Sequence, residues 1–200
     1  MINDEGEFTL RETADELAQL DGKDADQLYQ QLRGLYQRGL FKETSRSGAG
    51  RTAATLYDAE VLWRLRLLLP LVDLLGTDSD HLKRFDDLIR AESLIQVKKL
   101  ARIDDNWTVP IVDEVKTGLK AAIDGIRRGE DWILAVTLLQ DTETGGNTIF
   151  AVLCPAHAVK DPTTAEFKRD YMQTPPYELR GFLKIPATDL LRPLLIASDE

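Results

Sequence analysis

The chain has 200 residues, of which 43% are hydrophobic and 30% charged, with a formal net charge of -9. This composition is typical of folded globular proteins, and the length suits one large domain or two small ones, so a chain disordered throughout is excluded. No apolar run reaches the roughly 18 residues that a membrane-spanning helix needs, and the acidic first residues predict neither a signal peptide nor a transit peptide.

Two helices separated by a short turn are predicted at the start of the chain. Thr9 and Glu12 have the Thr-x-x-Glu spacing of a capping box, which predicts a helix over residues 10–20. Gly22 provides its stop, because glycine tolerates the left-handed backbone that closes a helix. A second helix is predicted after Asp24, with leucines along one face. This arrangement is typical of a helix-turn-helix unit.

A basic β-hairpin, or wing, is predicted where the second helix stops at Gly39. Residues 40–44 have the composition of one strand, and residues 51–57 return at strand-like spacing. The serine, glycine and arginine residues of segment 45–50 predict the loop between them. Asp58 then caps a third predicted helix.

Pro70 is expected to interrupt or kink that third helix. The polar segment 76–80 has the composition of a linker, so the predicted domains are 1–76 and 77–200. In the second domain, helices are expected to pack on a small antiparallel sheet. Its predicted elements are helices over 80–104 and 109–128, strands over 132–139 and 148–153 with a turn at 141–147, an irregular stretch over 155–176, a strand over 178–185, and a helix over 190–196 capped by Thr188 and Asp189.

Charge is distributed unevenly along the first domain. Residues 1–32 hold nine acidic and two basic side chains, whereas residues 33–66 hold seven basic and three acidic ones. Affinity for DNA rests largely on Lys and Arg that neutralise phosphates, so the overall charge argues against DNA binding and the second segment argues for it. A solvated surface can carry the same charges, and charge alone leaves both interpretations open.

The second helix carries the side chains best suited to reading DNA bases. Glutamine and arginine form paired hydrogen bonds to base edges in the major groove. Side chains of the hairpin, with Tyr29, would hold phosphates and so position the module. The predicted DNA-binding residues are Gln27, Tyr29, Gln30, Gln31, Arg33, Arg38, Lys42, Arg46, Arg51 and Thr52.

The first domain carries a series of arginine, glycine, leucine and tyrosine residues in a recognisable order: Arg33, Gly39, Leu40, Arg46, Gly50, Arg51, Tyr57, Leu62, Leu65 and Gly76. With this series, residues 8–76 or so resemble the winged helix-turn-helix regulators of the MerR type. The segment departs from that family at Gly34 and Leu35, where the family has an aromatic pair, and in a wider spacing between Arg51 and Tyr57. The resemblance implies an N-terminal winged helix-turn-helix domain that binds DNA.

No catalytic residue, cofactor or metal site is predicted. Cys154 ends an apolar strand, where a free cysteine is usually a small core residue, and a single cysteine agrees with a reducing cytoplasm. One Cys and two isolated His residues, His81 and His157, do not make the usual zinc site. The pairs Asp86-Asp87 and Asp104-Asp105 are interpreted as charged surface. Trp63, Trp107 and Trp132 are interpreted as core, with an effector pocket as the alternative.

The sequence thus predicts a cytoplasmic, non-enzymatic transcription regulator that binds double-stranded DNA as a homodimer, with no small-molecule effector indicated. One alternative is a phage or mobile-element DNA-binding protein, excisionase-like or a small packaging subunit. Another is an adaptor that uses a winged fold to bind proteins without DNA. A DNA complex should weaken steeply with salt, which separates the DNA-binding interpretations from the adaptor.

Overall fold

Helices and small antiparallel sheets alternate along the chain, which confirms the predicted α+β class. The computed structural model describes residues 6–48, 53–75, 79–102, 108–159 and 177–196. Two compact units are present, Met1–Asp86 with Asp189–Glu200, and Asp87–Thr188. The boundary predicted at residue 76 stays a prediction, while the first unit also includes the end of the chain.

The first unit has two helices between the first and second strands of a small sheet. Its three strands are antiparallel in the order β1-β3-β2, with Phe8 opposite Tyr57 and Arg46 opposite Thr55. A long third helix follows the last strand. The elements are β1 (Glu7–Thr9), α1 (Leu10–Asp21), α2 (Ala25–Gln37), β2 (Ser45–Ser47), β3 (Ala54–Asp58) and α3 (Ala59–Leu75).

Both ends of α1 and the start of α2 lie where the sequence predicts them. The backbone N–H of Thr9 donates to Glu12 Oε2 at 2.8 Å, and the Glu12 N–H donates to Thr9 Oγ1 at 3.2 Å. Gly22 closes α1 with φ +62°. The side chain of Asp24 accepts from the Gln27 N–H at 2.7 Å. Side-chain caps of this kind satisfy helix-end groups that have no partner within the helix.

The capping box predicts a dependence of stability on pH. Hydrogen bonds from the Thr9 backbone and side chain lower the pKa of Glu12. Because the folded-state pKa is the lower one, the stabilisation is present above the ordinary pKa of Glu12 and is lost as pH falls through the folded-state value. Glu12→Ala should therefore cost about 0.5 kcal/mol near neutral pH and less at low pH.

Urea unfolding of the parent and of Glu12→Ala between pH 7 and pH 2 tests this expectation. Glu16→Ala is the matched control, because Glu16 lies on the same helix and forms no hydrogen bond or ion pair with any described residue. A Glu12→Ala deficit that stays constant across the pH range would contradict the capping account.

The hairpin differs in detail from its prediction. Residues 40–44 were expected to form a strand, but Leu40 and Phe41 are buried in the turn after α2, and the strand is β2 at Ser45–Ser47. Phe41 packs against Tyr36 and Tyr57, with ring centroids 5.8 and 5.4 Å away. Burial of these rings therefore takes precedence over the strand-like alternation of 40–44. The Arg51 end of the returning strand lies outside the described residues.

The third helix continues through Pro70 to Leu75, so the predicted interruption is wrong. Asp58 caps this helix as predicted, because its Oδ1 accepts from the Val61 N–H at 3.0 Å. Leucines on both sides of Pro70 are almost completely buried. Their burial offsets the one backbone hydrogen bond that proline cannot donate. The segment 76–78 lies outside the described residues, and α4 begins at Ser79 and ends at Arg90.

Two segments predicted as helical are helical in one half and form a strand in the other. Residues 80–104 give α4 followed by β4 (Ser93–Arg102), and residues 109–128 give β5 (Thr108–Thr117) followed by α5 (Leu119–Arg127). The two strands pair antiparallel, with Ser93 opposite Thr117. Closely spaced β-branched residues favour strands, and Pro110 is better tolerated there than inside a helix.

The third sheet has the antiparallel order β7-β6-β8, and its strands confirm the predicted ones. They are β6 (Trp132–Asp141), β7 (Asn147–Pro155) and β8 (Tyr177–Pro186). One sheet face is buried through Leu134, Val136, Leu153 and Ile185. The predicted turn joins β6 to β7, where Asp141 accepts from the N–H groups of Glu143 and Thr144.

The last helix, α6 (Ala187–Ile196), begins before the predicted cap. Thr188 is already inside the helix, and its hydroxyl accepts from the Trp132 N–H at 2.6 Å, so its predicted capping role is wrong. No helix within the described residues is long and apolar enough to cross a membrane. A 3-10 turn, Ala156–Ala158, follows β7. Most of the predicted irregular stretch lies outside the described residues, as do Asp104, Asp105 and Trp107.

Candidate nucleic-acid interface

The exposed face of α2 carries a row of amide and guanidinium side chains. Leu28, Leu32 and Leu35 are buried and fix which side of the helix faces the core. Gln30 and Arg33 lie on the opposite side, since residues three and four apart share one helix face. Gln27 and Gln37 are exposed beside them. The sequence predicted this grouping for Gln27, Gln30 and Arg33.

Most polar side chains of this face lack a partner among the described residues. Within the described part of the chain, the side chains of Gln27, Gln30 and Arg33 form no hydrogen bond or ion pair. Asp26 is the one acidic residue of the exposed row, and its Oδ1 lies 2.5 Å from Arg11 Nη1. This pairing reduces the repulsion that an unpaired carboxylate would exert on a phosphate.

Arg11 links α1 to α2 at the edge of this face. Its Nε lies 3.0 Å from Asp15 Oδ1, and its guanidinium carbon lies 5.8 Å from the ring centroid of Tyr29. The hydrogen bond to Asp26 is the main cause of its raised pKa. Tyr29, predicted to contact phosphate, is half-buried beneath this cation. Arg11 thus faces two carboxylates and one aromatic ring.

Gln31 has a partner inside the protein. Its Nε2 donates to Asp73 Oδ1 at 3.3 Å, and Asp73 Oδ2 lies 3.0 Å from Lys23 Nζ. Its side chain is also closer to the core than those of Gln27 and Gln30. The structure therefore separates Gln31 from the freely exposed glutamines with which the sequence groups it.

The hairpin supplies fewer free cations than its composition indicates. Lys42 is exposed and, among the described residues, has no ion-pair partner. Arg46 is 62% exposed, and its Nη2 lies 3.3 Å from Glu43 Oε1. Arg38 is exposed at the end of α2. Arg51 and Thr52 lie outside the described residues.

Two of the seven cations counted in residues 33–66 are taken up inside the protein. Arg64 binds Asp86 with both ends of its guanidinium group, at 2.7 and 2.5 Å. Arg66 is 4% exposed, pairs with Asp21 at 2.8 Å and donates through Nε to the Leu190 carbonyl. The local excess of positive charge is therefore smaller than the sequence indicates.

Asp86 is consequently not the surface charge predicted for it, since it is 2% exposed. Only Asp87 of that pair is exposed, and it binds Arg90 at 2.6 Å. Sequence reasoning missed the buried pair because its two members are on different helices, 22 residues apart. The apolar spacing of α4, with Leu82, Phe85 and Ile89 inward, could have placed position 86 on the same face.

Other candidate reactive groups have structural surroundings. Cys154 is 2% exposed, and burial raises the pKa of its thiol to about 11, so little thiolate forms at neutral pH. Trp132 is buried and donates through Nε1 to Glu130 Oε2 at 3.2 Å. Trp63 is half-buried. Among the described residues, no three His, Cys, Asp or Glu side chains converge on a common metal position.

Comparison of the chain with protein families, curated proteins and solved structures finds no match. Function is therefore inferred from the chemistry of the α2 face and of the hairpin beside it.

Proposed function

We propose that the chain is a DNA-binding transcription regulator, whose first unit acts as a winged helix-turn-helix module. The supporting observation is the exposed face of α2, where Gln27, Gln30 and Arg33 are unpaired among the described residues. Helices that read DNA place such side chains in the major groove. In this proposal the chain acts in the cytoplasm and has no enzymatic activity.

The α2 side chains match the donor and acceptor pattern of base edges. A glutamine amide can donate to N7 and accept from N6 of adenine in the same plane, with its N–H₂ and C=O groups respectively. An arginine can donate twice to O6 and N7 of guanine. Gln30 and Arg33 are three residues apart on one face, so both side chains can face the same groove.

Phosphate contacts are assigned to the margins of this face. Lys42 is available without breaking an ion pair with any described residue. Arg46 can contribute after exchanging Glu43 for a phosphate. Tyr29, Arg38, Arg51 and Thr52 complete the proposed contact set. Homodimerisation would place two such modules on a two-fold DNA site.

A protein-binding adaptor is the second candidate function. It is favoured by the exposed carboxylates that already pair with Arg11 and Arg46, and by the net charge of -9. An acidic surface with exposed glutamines suits a basic protein partner as well as it suits solvent. This candidate would be favoured if the protein did not bind DNA even at low salt.

Lys42→Ala tests the DNA proposal through its salt dependence. If Lys42 neutralises one phosphate, the variant should bind mixed-sequence duplex DNA more weakly, and its slope of log affinity against log salt should fall by about 1. Fluorescence anisotropy with a labelled mixed-sequence duplex, from about 50 to 200 mM salt, measures both quantities.

The matched control is Lys120→Ala. Lys120 is an exposed lysine on α5 that likewise has no partner among the described residues. The Lys120→Ala substitution changes the net charge by the same amount as Lys42→Ala, so a general charge effect would weaken DNA binding equally in both variants. Equal slopes for Lys42→Ala and the parent would remove Lys42 from the interface, and no binding by the parent would reject DNA as the ligand.

A further inference from the structure

Asp73 holds α2 and the turn before it against α3. One carboxylate oxygen accepts from Gln31 Nε2 of α2 at 3.3 Å, and the other lies 3.0 Å from Lys23 Nζ of the turn. The carboxylate is about half exposed, at 50%. The Asp73 side chain, near the end of α3, therefore contacts both α2 and the turn that joins α1 to α2.

A second ion pair fixes the other side of the same turn. Arg66 lies seven residues before Asp73, so the two residues lie two turns apart on one face of α3. Arg66 Nη2 binds Asp21 Oδ1 at 2.8 Å, just before Gly22. The two pairs have opposite polarity, because α3 supplies the cation in one and the anion in the other. A turn shifted along α3 would bring like charges together and is disfavoured.

The Arg66–Asp21 and Asp73–Lys23 ion pairs differ in how much the folded structure depends on them. Arg66 is 4% exposed and donates to a backbone carbonyl as well, so its removal would disturb the core. Asp73 is at the surface, where the loss of one ion pair is tolerated. Asp73 is therefore the residue through which placement of α2 can be changed without unfolding the first unit.

We propose that Asp73 is a positioning residue that sets the placement of α2 on α3, and thereby the sequence selectivity of the DNA-reading face. This inference rests on the proposed function. Asp73 acts through Gln31 and Lys23, so it needs no contact with DNA. Gln31 is accordingly assigned to this support and not to base reading, because the hydrogen bond from its amide to Asp73 directs the side chain toward α3.

Loss of a negative charge and loss of positioning predict different results for Asp73→Ala: the first changes affinity for every duplex, and the second changes selectivity between duplexes. Removal of an acidic residue from a DNA-binding protein raises its affinity for any duplex, because phosphate is repelled less. Loss of positioning instead lowers the preference for a selected duplex over a scrambled one by about five- to tenfold, the equivalent of one typical hydrogen bond. Affinity for the scrambled duplex should not fall.

The experiment uses the full chain and a randomised duplex library. The parent enriches a preferred duplex, and anisotropy then gives its affinity relative to a scrambled duplex for the parent, Asp73→Ala and Gln31→Ala. Asp124→Ala is the matched control. Asp124 is an exposed acidic residue on α5, in the second unit, and its side chain has no partner among the described residues. It should leave selectivity unchanged.

The double variant Gln31→Ala, Asp73→Ala identifies the route of the effect. If Gln31 acts through Asp73, the double variant is no less selective than Asp73→Ala alone, because the interaction is lost only once. If Gln31 reads a base, the two losses multiply. Multiplied losses would overturn the assignment of Gln31 to the support.

Amide hydrogen exchange without DNA provides the second readout. In Asp73→Ala, amides of Lys23 and α2 should exchange several-fold faster, while those of α5 stay unchanged. If the parent binds DNA and Asp73→Ala keeps its selectivity, the inference is overturned whatever the exchange shows. If the parent binds no duplex, the proposed function fails, and exchange alone then supports or overturns placement of α2 by Asp73.

Discussion

Replacing Asp86 by alanine should destabilise the first unit by about 3–5 kcal/mol, which is typical when one partner of a buried ion pair is removed. Asp86 and Arg64 are 3% and 11% exposed at their side chains and are joined by two hydrogen bonds. Without the carboxylate, the one charged partner left to Arg64 among the described residues is Glu60, whose Oε1 is 3.8 Å away and whose side chain is about half exposed. The penalty arises because a desolvated charge is left without a close partner.

Asp87→Ala is the neighbouring control. Asp87 is 69% exposed at its side chain and pairs with Arg90 across one helical turn, so its loss should cost less than about 0.5 kcal/mol. Urea unfolding followed by circular dichroism measures both variants. Similar small losses for both would show that Arg64 reaches water when Asp86 is absent. Arg64→Leu combined with Asp86→Leu should recover much of the loss, because no buried charge then remains.

Gly125→Ala should destabilise the second unit by about 3 kcal/mol or more, the upper range for overpacking a filled core. A Cβ at this position would lie 2.1 Å from Trp132 Nε1 and 2.7 Å from Glu130 Oε2. Trp132 is 3% exposed, so its indole cannot move aside without leaving the core. The variant should also lose the hydrogen bond from the indole to Glu130.

Gly34→Ala gives the opposite expectation for the same substitution. Its Cβ would meet only the far end of Arg38, at 3.3 Å from Nη2, a flexible group that can move away. Alanine in an exposed helix is then favoured by about 0.5–1 kcal/mol over glycine. Unfolding midpoints, with near-UV circular dichroism for Trp132, test both variants. A Gly125→Ala protein with unchanged near-UV signal and stability would contradict the packing observed around Trp132.

The sequence correctly predicted the elements whose caps and turns involve residues close together in the chain. Thr9 and Glu12 form a capping box within four residues, and the α1 stop at Gly22 needs only glycine's backbone freedom. The alternation in 132–139 and the turn residues after it likewise predicted β6 and its hairpin. In each case, the hydrogen-bond partners lie close in the chain, so spacing alone carries the information.

Longer-range packing determined the elements that were predicted wrongly. The segments 93–102 and 108–117 contain apolar residues that fit a helix as well as a strand, and only their mutual pairing makes them β4 and β5. Pro70 stays inside α3 because buried leucines surround it, which the sequence does not reveal. Composition measures preference within a segment but not what the segment packs against.

The sequence predicted which α2 side chains are exposed at the candidate site, but it did not predict how many cations remain at the surface. The helical period correctly placed Gln30 and Arg33 opposite the buried leucines, with Gln27 exposed beside them. The pairing of Gln31 with Asp73 joins residues 42 positions apart, and no local pattern indicates it. Counting cations also overestimated the positive surface, since Arg64 and Arg66 are neutralised by carboxylates from other helices.

The Arg66 hydrogen bond joins residues 124 positions apart, and this separation has a consequence during protein synthesis. The first unit includes the described residues 189–196, which the ribosome adds only after it has made roughly a hundred residues beyond Asp86. At about 5–20 residues per second, the nascent N-terminal segment waits about 5–20 s for its last helix. During that interval the Arg66 guanidinium lacks its Leu190 acceptor, so we expect a ribosome-bound chain stalled before residue 189 to be cleaved by protease more readily within α3 than the released protein.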